Sequence, residues 1–316
     1  MAEAESSDAH WERDVLRKLA LETLAEQKRR RRWGIFFKLL GFAYLSFLII
    51  VFGEFDWKGE TFEGHKHSAL VDVSGVIGAS GEASAERLMA SLQSAFEAKD
   101  TAGVILRINS PGGSPVQSGI INDEIRRLRK KYPAIPLYAV VEDICASGGY
   151  YVAVAADKIF VDKASIVGSI GVLMDGFGFT GAMDKLGVER RLLTAGENKG
   201  FLDPFSPQQE RHRQHAQILL DDVHRQFVEV VRAGRGRRLK ETPDMFSGLM
   251  WTGARSIELG LTDGLGSVES VARDVIKAED ILDYTQRQNL AERFAKRLGA
   301  GVAEELASRL SGFGWR

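Results

Sequence analysis

The chain has 316 residues, an apolar share of 44% and a formal net charge of −1. That length permits one large domain or two small ones, and so small a charge gives no long-range electrostatic reason to expect nucleic acid as a partner. Cys145 is the single cysteine, which excludes an intramolecular disulfide and a cysteine-rich metal site. It reads as a small buried side chain.

In chain order, residues 1–32 come first, an amphipathic and basic segment. Trp11, Val15, Leu16, Leu19 and Leu24 recur at helical spacing over residues 8–28. Residues 33–53 follow as an expected transmembrane helix. From Trp33 to Phe52 the only charge is Lys38, and about twenty such residues span a hydrocarbon core of about 30 Å. Lys38 lies near one end, where its amine can reach the headgroups. The run Lys28-Arg29-Arg30-Arg31-Arg32 precedes the span, whereas Glu54, Asp56, Glu60 and Glu63 follow it. This asymmetry sets the N-terminus in the cytoplasm and the rest outside. A cleaved signal peptide fits less well, given the long leader and bulky Phe52 and Phe55 where small residues would be needed.

Residues 54–67 read as a polar linker. Its His65 and His67 make two ligands at most, too few for a convincing metal site, and are read as solvated. From Ser68 strand-length apolar runs alternate with helical patterns. The predicted strands are Ala69–Val73, Val104–Ile108, Leu137–Val141, Lys158–Val161 and Leu192–Thr194. The predicted helices are Ala83–Ala98, Gln117–Lys131, a segment starting at Ser147, and Gly181–Leu186. Alternation of this kind makes an α/β fold with a parallel-rich sheet, whose sites form outside the carboxyl ends of strands. A long helix is predicted over Pro207–Ala233, with Ser206 as its cap and Pro207 at its first position. Residues 276–316 read as an amphipathic helical extension from about Ile281, with Leu290, Phe294, Leu298, Val302, Leu306 and Leu310 on one stripe.

Two segments fall at predicted strand ends: Asn109-Ser110-Pro111-Gly112-Gly113 and Ala146-Ser147-Gly148-Gly149. A serine at a strand-to-helix turn, followed by two glycines, leaves its hydroxyl uncovered. The helix starting there aims unpaired amides at the same point. Ser147 is therefore the candidate nucleophile. The Gly148 amide and one from the Gly112-Gly113 pair could hold an oxyanion, each such donor being worth about 3–4 kcal/mol in the transition state. Serine needs a base, and Lys199 in Gly196-Glu197-Asn198-Lys199-Gly200 is the candidate. A lysine acts as a base only when neutral, a form that burial favours. Ser169, in Val167-Gly168-Ser169-Ile170-Gly171, could orient the amine. Taken singly, each of these segments also reads as a tight turn, a solvated lysine or a strand of small residues; their joint occurrence in order favours chemistry. His212, His215 and His224 lie on the predicted long helix and read as exposed. No G-x-S-x-G elbow and no phosphate loop is present.

Those segments, together with Pro204-Phe205 and Gly260-Leu261-Thr262-Asp263-Gly264-Leu265-Gly266, resemble bacterial signal peptide peptidase A (SppA) enzymes in their short single-domain form. SohB-like relatives share the pattern. The similarity covers about residues 68–275, the expected peptidase domain. It implies a ClpP/crotonase-type fold and a Ser-Lys dyad of Ser147 and Lys199. It also implies Ser169 bonded to the amine, and an oxyanion hole from Gly148 with Gly112 or Gly113. It further implies a membrane-tethered homo-oligomeric ring, in which serine and lysine can come from neighbouring subunits, and substrates that are remnant signal peptides or other unfolded, apolar segments. The expectation is thus a serine endopeptidase of the bacterial inner membrane, its catalytic domain extracytoplasmic, with no cofactor and no metal. A crotonase-like acyl-CoA enzyme and a non-catalytic membrane scaffold are the rival readings.

Overall fold

A computed structural model describes residues 26–47 and 65–287 of the chain. Residues 26–47 are helical and are termed α1; residues 65–287 fall within a separate compact unit. Among the described residues no helix is long and apolar enough to cross a membrane. Residues 48–53 of the expected span lie outside the described residues, as do most of the expected N-terminal amphipathic segment, the greater part of the linker, and the C-terminal stripe from Leu290 onward.

The compact unit is an α/β fold around an eight-stranded sheet. Its strands are β1 (His67–Ser74), β2 (Thr101–Ser110), β3 (Leu137–Ala146), β4 (Lys158–Val161), β5 (Ile166–Gly168), β6 (Met250–Thr252), β7 (Gly264–Leu265) and β8 (Ile281–Asp283). The main path runs β6-β5-β3-β2-β1-β8, while β4 pairs with β3 and β7. All pairings are parallel except β5 with β6. Helices α2 (Ala85–Glu97), α3 (Pro115–Lys131) and α4 (Gly148–Ala153) follow β1, β2 and β3 in turn. Then come α5 (Thr180–Leu186), α6 (Glu210–Arg235), α7 (Gly253–Glu258) and α8 (Val268–Ser270), the last continuing into a π-helical turn over Val271–Ile276.

Strands buried on both faces read as unbroken apolar runs, and the alternation of side chains assigns each residue to a face. Val71, Val73, Val104, Leu106, Ile108 and Val141 meet Leu88, Leu92 and Phe96 of α2 and Ile121, Ile125 and Leu128 of α3 in the larger core. Leu70, Ile105, Val140 and Phe160 point the other way, onto Val268, Val271 and Ala272. Each such large side chain contributes about 1.5–3 kcal/mol when removed from water. The path of β3 then positions the site. Tyr138–Val140 pair with β4 and Ile144–Ala146 pair with β5, so the strand changes neighbour at Glu142-Asp143.

Several expectations change. Leu192–Thr194 forms no strand; Leu193 is 96% exposed on an arm between β5 and α6, with no strand edge paired to it. The long helix starts at Glu210, with Gln209 as its cap residue. Ser206 caps nothing because its hydroxyl donates to the Asp203 carboxylate at 2.6 Å. Residues 281–283 form β8 rather than helix and add a sheet edge against β1, so the α/β unit runs past residue 275. His67 is buried, not solvated: its Nε2 lies 3.0 Å from Tyr284 Oη and 3.3 Å from Thr101 Oγ1. His212 on α6 is buried too.

Candidate active site

Ser147 stands where β3 ends and α4 begins, as the residue before the first helical position. Its φ of +49° lies in the left-handed region, which costs a non-glycine residue about 1–3 kcal/mol and persists only where the surroundings hold it. What holds it is specific. The Ser147 amide donates to Gly168 O at 2.8 Å, extending the β3–β5 ladder by one residue, and the Tyr151 amide donates to Ser147 O at 3.0 Å, opening α4. Asn122 Nδ2 of α3 donates to Tyr151 O at 2.7 Å, and Tyr150 Oη, fully buried, donates to Leu261 O at 2.7 Å. Burial pushes the Tyr150 phenol far above its ordinary range, so it is a neutral donor. Cys145 is likewise buried and its thiol is pushed up by desolvation, as expected of a packing residue.

Ala146 pairs with Gly168 across the β3–β5 ladder. The next residues, Ser147 and Ser169, therefore leave adjacent parallel strand ends, whose spacing is about 4.8 Å. Ser169 also has positive φ, +52°, and its amide donates to Leu249 O at 2.7 Å. The fold thus sets Ser147 and Ser169 just past the ends of adjacent strands.

The glycine pair closes in from β2. Ser110 Oγ donates to Gly75 O at 2.6 Å and accepts from the Gly112 amide at 3.1 Å. A bridge of parallel type joins Gly113 to Ile77, with Ile77 N bonded to Gly112 O at 2.8 Å and Ser114 N to Ile77 O at 2.9 Å. A Cβ on Gly112 would stand 2.7 Å from the Gly148 nitrogen and 2.7 Å from Ser147 Cβ. One on Gly148 would stand 3.2 Å from the Gly113 nitrogen and 2.5 Å from Ser118 Oγ, a buried hydroxyl with no hydrogen-bond partner among the described residues. The backbone thus approaches as only glycines allow. The Gly113 amide donates to no partner among the described residues, and the Gly148 amide, first in its helix, has no carbonyl one turn back to bond. Two unengaged donors beside a serine hydroxyl are what acyl-transfer chemistry requires of an oxyanion hole.

Lys199 is placed differently. It sits exposed on the arm between α5 and α6, its amide bonded to Gly196 O at 3.1 Å. Among the described residues no hydrogen bond joins it to Ser147 or Ser169. Residues of this site that sequence reading passes over include Ser110 and Ile77, which shape the glycine loop, and Gly168, whose carbonyl holds Ser147. Ser110 belongs to the Asn109–Gly113 segment, but its bond to Gly75 depends on the pairing of β1 with β2. No group of three or more His, Cys, Asp or Glu among the described residues could hold a metal ion.

The model of peptidase family S49 matches residues 129–282, a stretch that contains Ser147, Ser169 and Lys199. A protein of Enterococcus faecium bearing the name signal peptide peptidase SppA is 30% identical over 269 residues, which cover 81% of this chain and 78% of that one. A protein of Haemophilus influenzae bearing the name SohB is 28% identical over 243 residues, covering 76% and 67%. The chain belongs to peptidase family S49. A protein named Na(+)/H(+) antiporter NhaA in Brucella abortus is 46% identical over 182 residues, but these cover 58% of this chain and only 25% of that one. This chain therefore spans about a quarter of that relative's length.

Proposed function

We propose that the chain is a membrane-anchored serine endopeptidase that degrades remnant signal peptides and other unfolded or apolar segments. The observation that carries this reading is Ser147 at positive φ, beside the unengaged amides of Gly113 and Gly148. Ser147 Oγ attacks the scissile carbonyl while the neutral amine of Lys199 accepts its proton. The two amides hold the oxyanion of the tetrahedral intermediate. The ammonium then gives its proton to the departing amine, leaving an acyl-serine, and the lysine next takes a proton from the water that hydrolyses it. Ser169 orients the amine from the neighbouring strand end.

Lys199 is solvent-facing in the single chain, and the arm that bears it exposes Leu173, Phe177, Leu186 and Leu193. Exposed apolar side chains in this number favour a protein partner, here a second copy in a homo-oligomeric ring, with the lysine of one protomer serving the serine of the next. Val76 and Val116, on the segments flanking the Gly113 loop, are also exposed and apolar, which suits apolar peptides. The membrane anchor rests on residues 33–53, of which Trp33, Phe36, Phe37 and Leu40 of α1 are exposed, and on the basic block before them, which sets the catalytic domain outside the cytoplasm.

Purified Ser147→Ala and Lys199→Ala proteins are expected to stay folded and to lose peptide hydrolysis. Turnover near the parent rate by either variant would remove that residue from the mechanism. Hydrolysis of an enoyl-CoA or acyl-CoA without peptide cleavage would favour the crotonase reading instead.

A further inference from the structure

The segment carrying Lys199 is fastened on both sides of the lysine to the first two turns of α6. Before it, Asn198 Oδ1 lies 3.3 Å from His212 Nε2; the amide oxygen can only accept, so Nε2 carries the proton and donates. Glu197 forms an ion pair with Arg211, and Arg211 Nη2 also donates to Glu197 O at 3.3 Å. After it, the Phe201 ring packs against His212 at 5.3 Å and His215 at 5.7 Å between ring centroids, and its amide bonds Asn198 O at 3.0 Å. These contacts are unequal. Arg211 and Glu197 are exposed at 46% and 73%, so their pair contributes little. His212 is only 6% exposed, so its half of the contact with Asn198 is held in place by packing.

The other end of α6 is fixed to the helix that Ser147 opens. Phe227 meets Tyr151 at 5.1 Å, and a Cβ on Gly234 would stand 2.2 Å from Val154 O. His212 and Phe227 lie 15 residues apart on one helix, about 22 Å along its axis. The same rigid rod therefore touches the nucleophile's helix at one end and the lysine's loop at the other.

On the reading of Lys199 as the general base, we infer that His212 is the positioning residue for that base, acting through Asn198. Its imidazole takes no proton from substrate; it fixes the backbone from which the amine extends. This explains why a histidine at an otherwise exposed helix start is buried.

The test uses the full-length chain in detergent, with His212→Ala, His212→Gln, Asn198→Ala, Lys199→Ala and, as a control on the same turn, Arg213→Ala. His212→Ala is expected to lower kcat about 10- to 100-fold, the scale of a misplaced catalytic group, with KM changed less than about threefold. His212→Gln, whose Nε2 still donates to Asn198, is expected to recover most of kcat, Asn198→Ala to fall like His212→Ala, and Arg213→Ala to match the parent. Parental kcat in His212→Ala, with Lys199→Ala inactive, overturns the inference and leaves the dyad standing. A loss in His212→Ala that His212→Gln does not restore, with Asn198→Ala normal, overturns it as well, since the ring would then matter only as packing. If His212→Ala does not fold, Asn198→Ala decides: parental kcat there overturns the inference. Turnover by Lys199→Ala would instead overturn the dyad itself.

Discussion

The demand on single residues is sharpest at Gly113. Its φ is +148°, and a Cβ there would stand 2.1 Å from Ile77 O, the acceptor for the Ser114 amide. No side-chain rotation relieves a clash between Cβ and backbone, so Gly113→Ala must break the bridge to Ile77 and swing the Gly113 amide away. The core residues of β1 and β2 are untouched, so the protein is expected to fold with a modest fall in Tm. Loss of one oxyanion donor typically costs about 10²–10³ in kcat, and Gly113→Ala is expected to fall by at least about 100-fold with KM little changed. A steady-state assay beside a thermal melt checks this; parental kcat would remove Gly113 from the oxyanion hole. Ser147, Gly112, Gly113 and Gly148 were legible in the sequence because glycine and serine at strand ends leave a compositional mark. His212 was not: its spacing with His215 reads as an exposed helix face, and the ring that buries it, Phe201, arrives from a loop no periodicity describes.

At the scale of elements, α6 is tied to the sheet by an ion pair at its C-terminal end. Arg235, 1% exposed, donates through Nη1 and Nη2 to both Asp263 oxygens at 2.7 and 2.9 Å, and through Nε to Gly260 O at 2.8 Å. Asp263 also accepts the Ile159 amide at 2.7 Å, which fixes the start of β4. Burial pushes the Asp263 carboxyl up, but the Arg235 hydrogen bonds and charge, with the Ile159 amide and Arg238, outweigh it and hold the group below its usual range. A carboxylate with a depressed folded value adds stability that is complete above its unfolded pKa, about 3.9, and is lost as pH falls through the folded value. Asp263→Asn removes that acid-side loss and leaves Arg235 buried without its counter-charge, a change costing about 3–5 kcal/mol. Tm of the variant is expected to be lower at neutral pH and flatter than the parent's below about pH 4. An unchanged neutral Tm would show that the pair does not anchor α6. The motif Gly260–Gly266 marked this region in the sequence, yet strands of two or three residues such as β5, β6, β7 and β8 left no periodic signal. So short a run depends on its partners for pairing, and β3's change of neighbour at Glu142-Asp143 is a long-range event.

For the molecule as a whole, the question is where the amine meets the hydroxyl. The serine, its amides and Ser169 are assembled within one chain, whereas Lys199 lies exposed on an arm whose apolar side chains face solvent. If the arm docks on a second copy, each complete site uses Ser147 from one protomer and Lys199 from the next. Head-to-tail interfaces of this kind close into rings and repeat the same contact around them. Two inactive variants should then complement each other. A Lys199→Ala chain still offers a serine, and a Ser147→Ala chain still offers a lysine. In rings assembled from an equal mixture, a site is complete when both halves fall in the right order, one half times one half. Peptidase activity is therefore expected to return to about a quarter of the parent's after co-expression or mixed reassembly, while each variant alone stays inactive. Adding Leu193→Glu to both chains puts a charge on the arm's most exposed apolar residue; it is expected to reduce oligomer size by light scattering and to abolish the recovery. A mixture that forms rings but recovers nothing would mean that serine and lysine belong to the same chain, and that the arm must fold back to complete its own site.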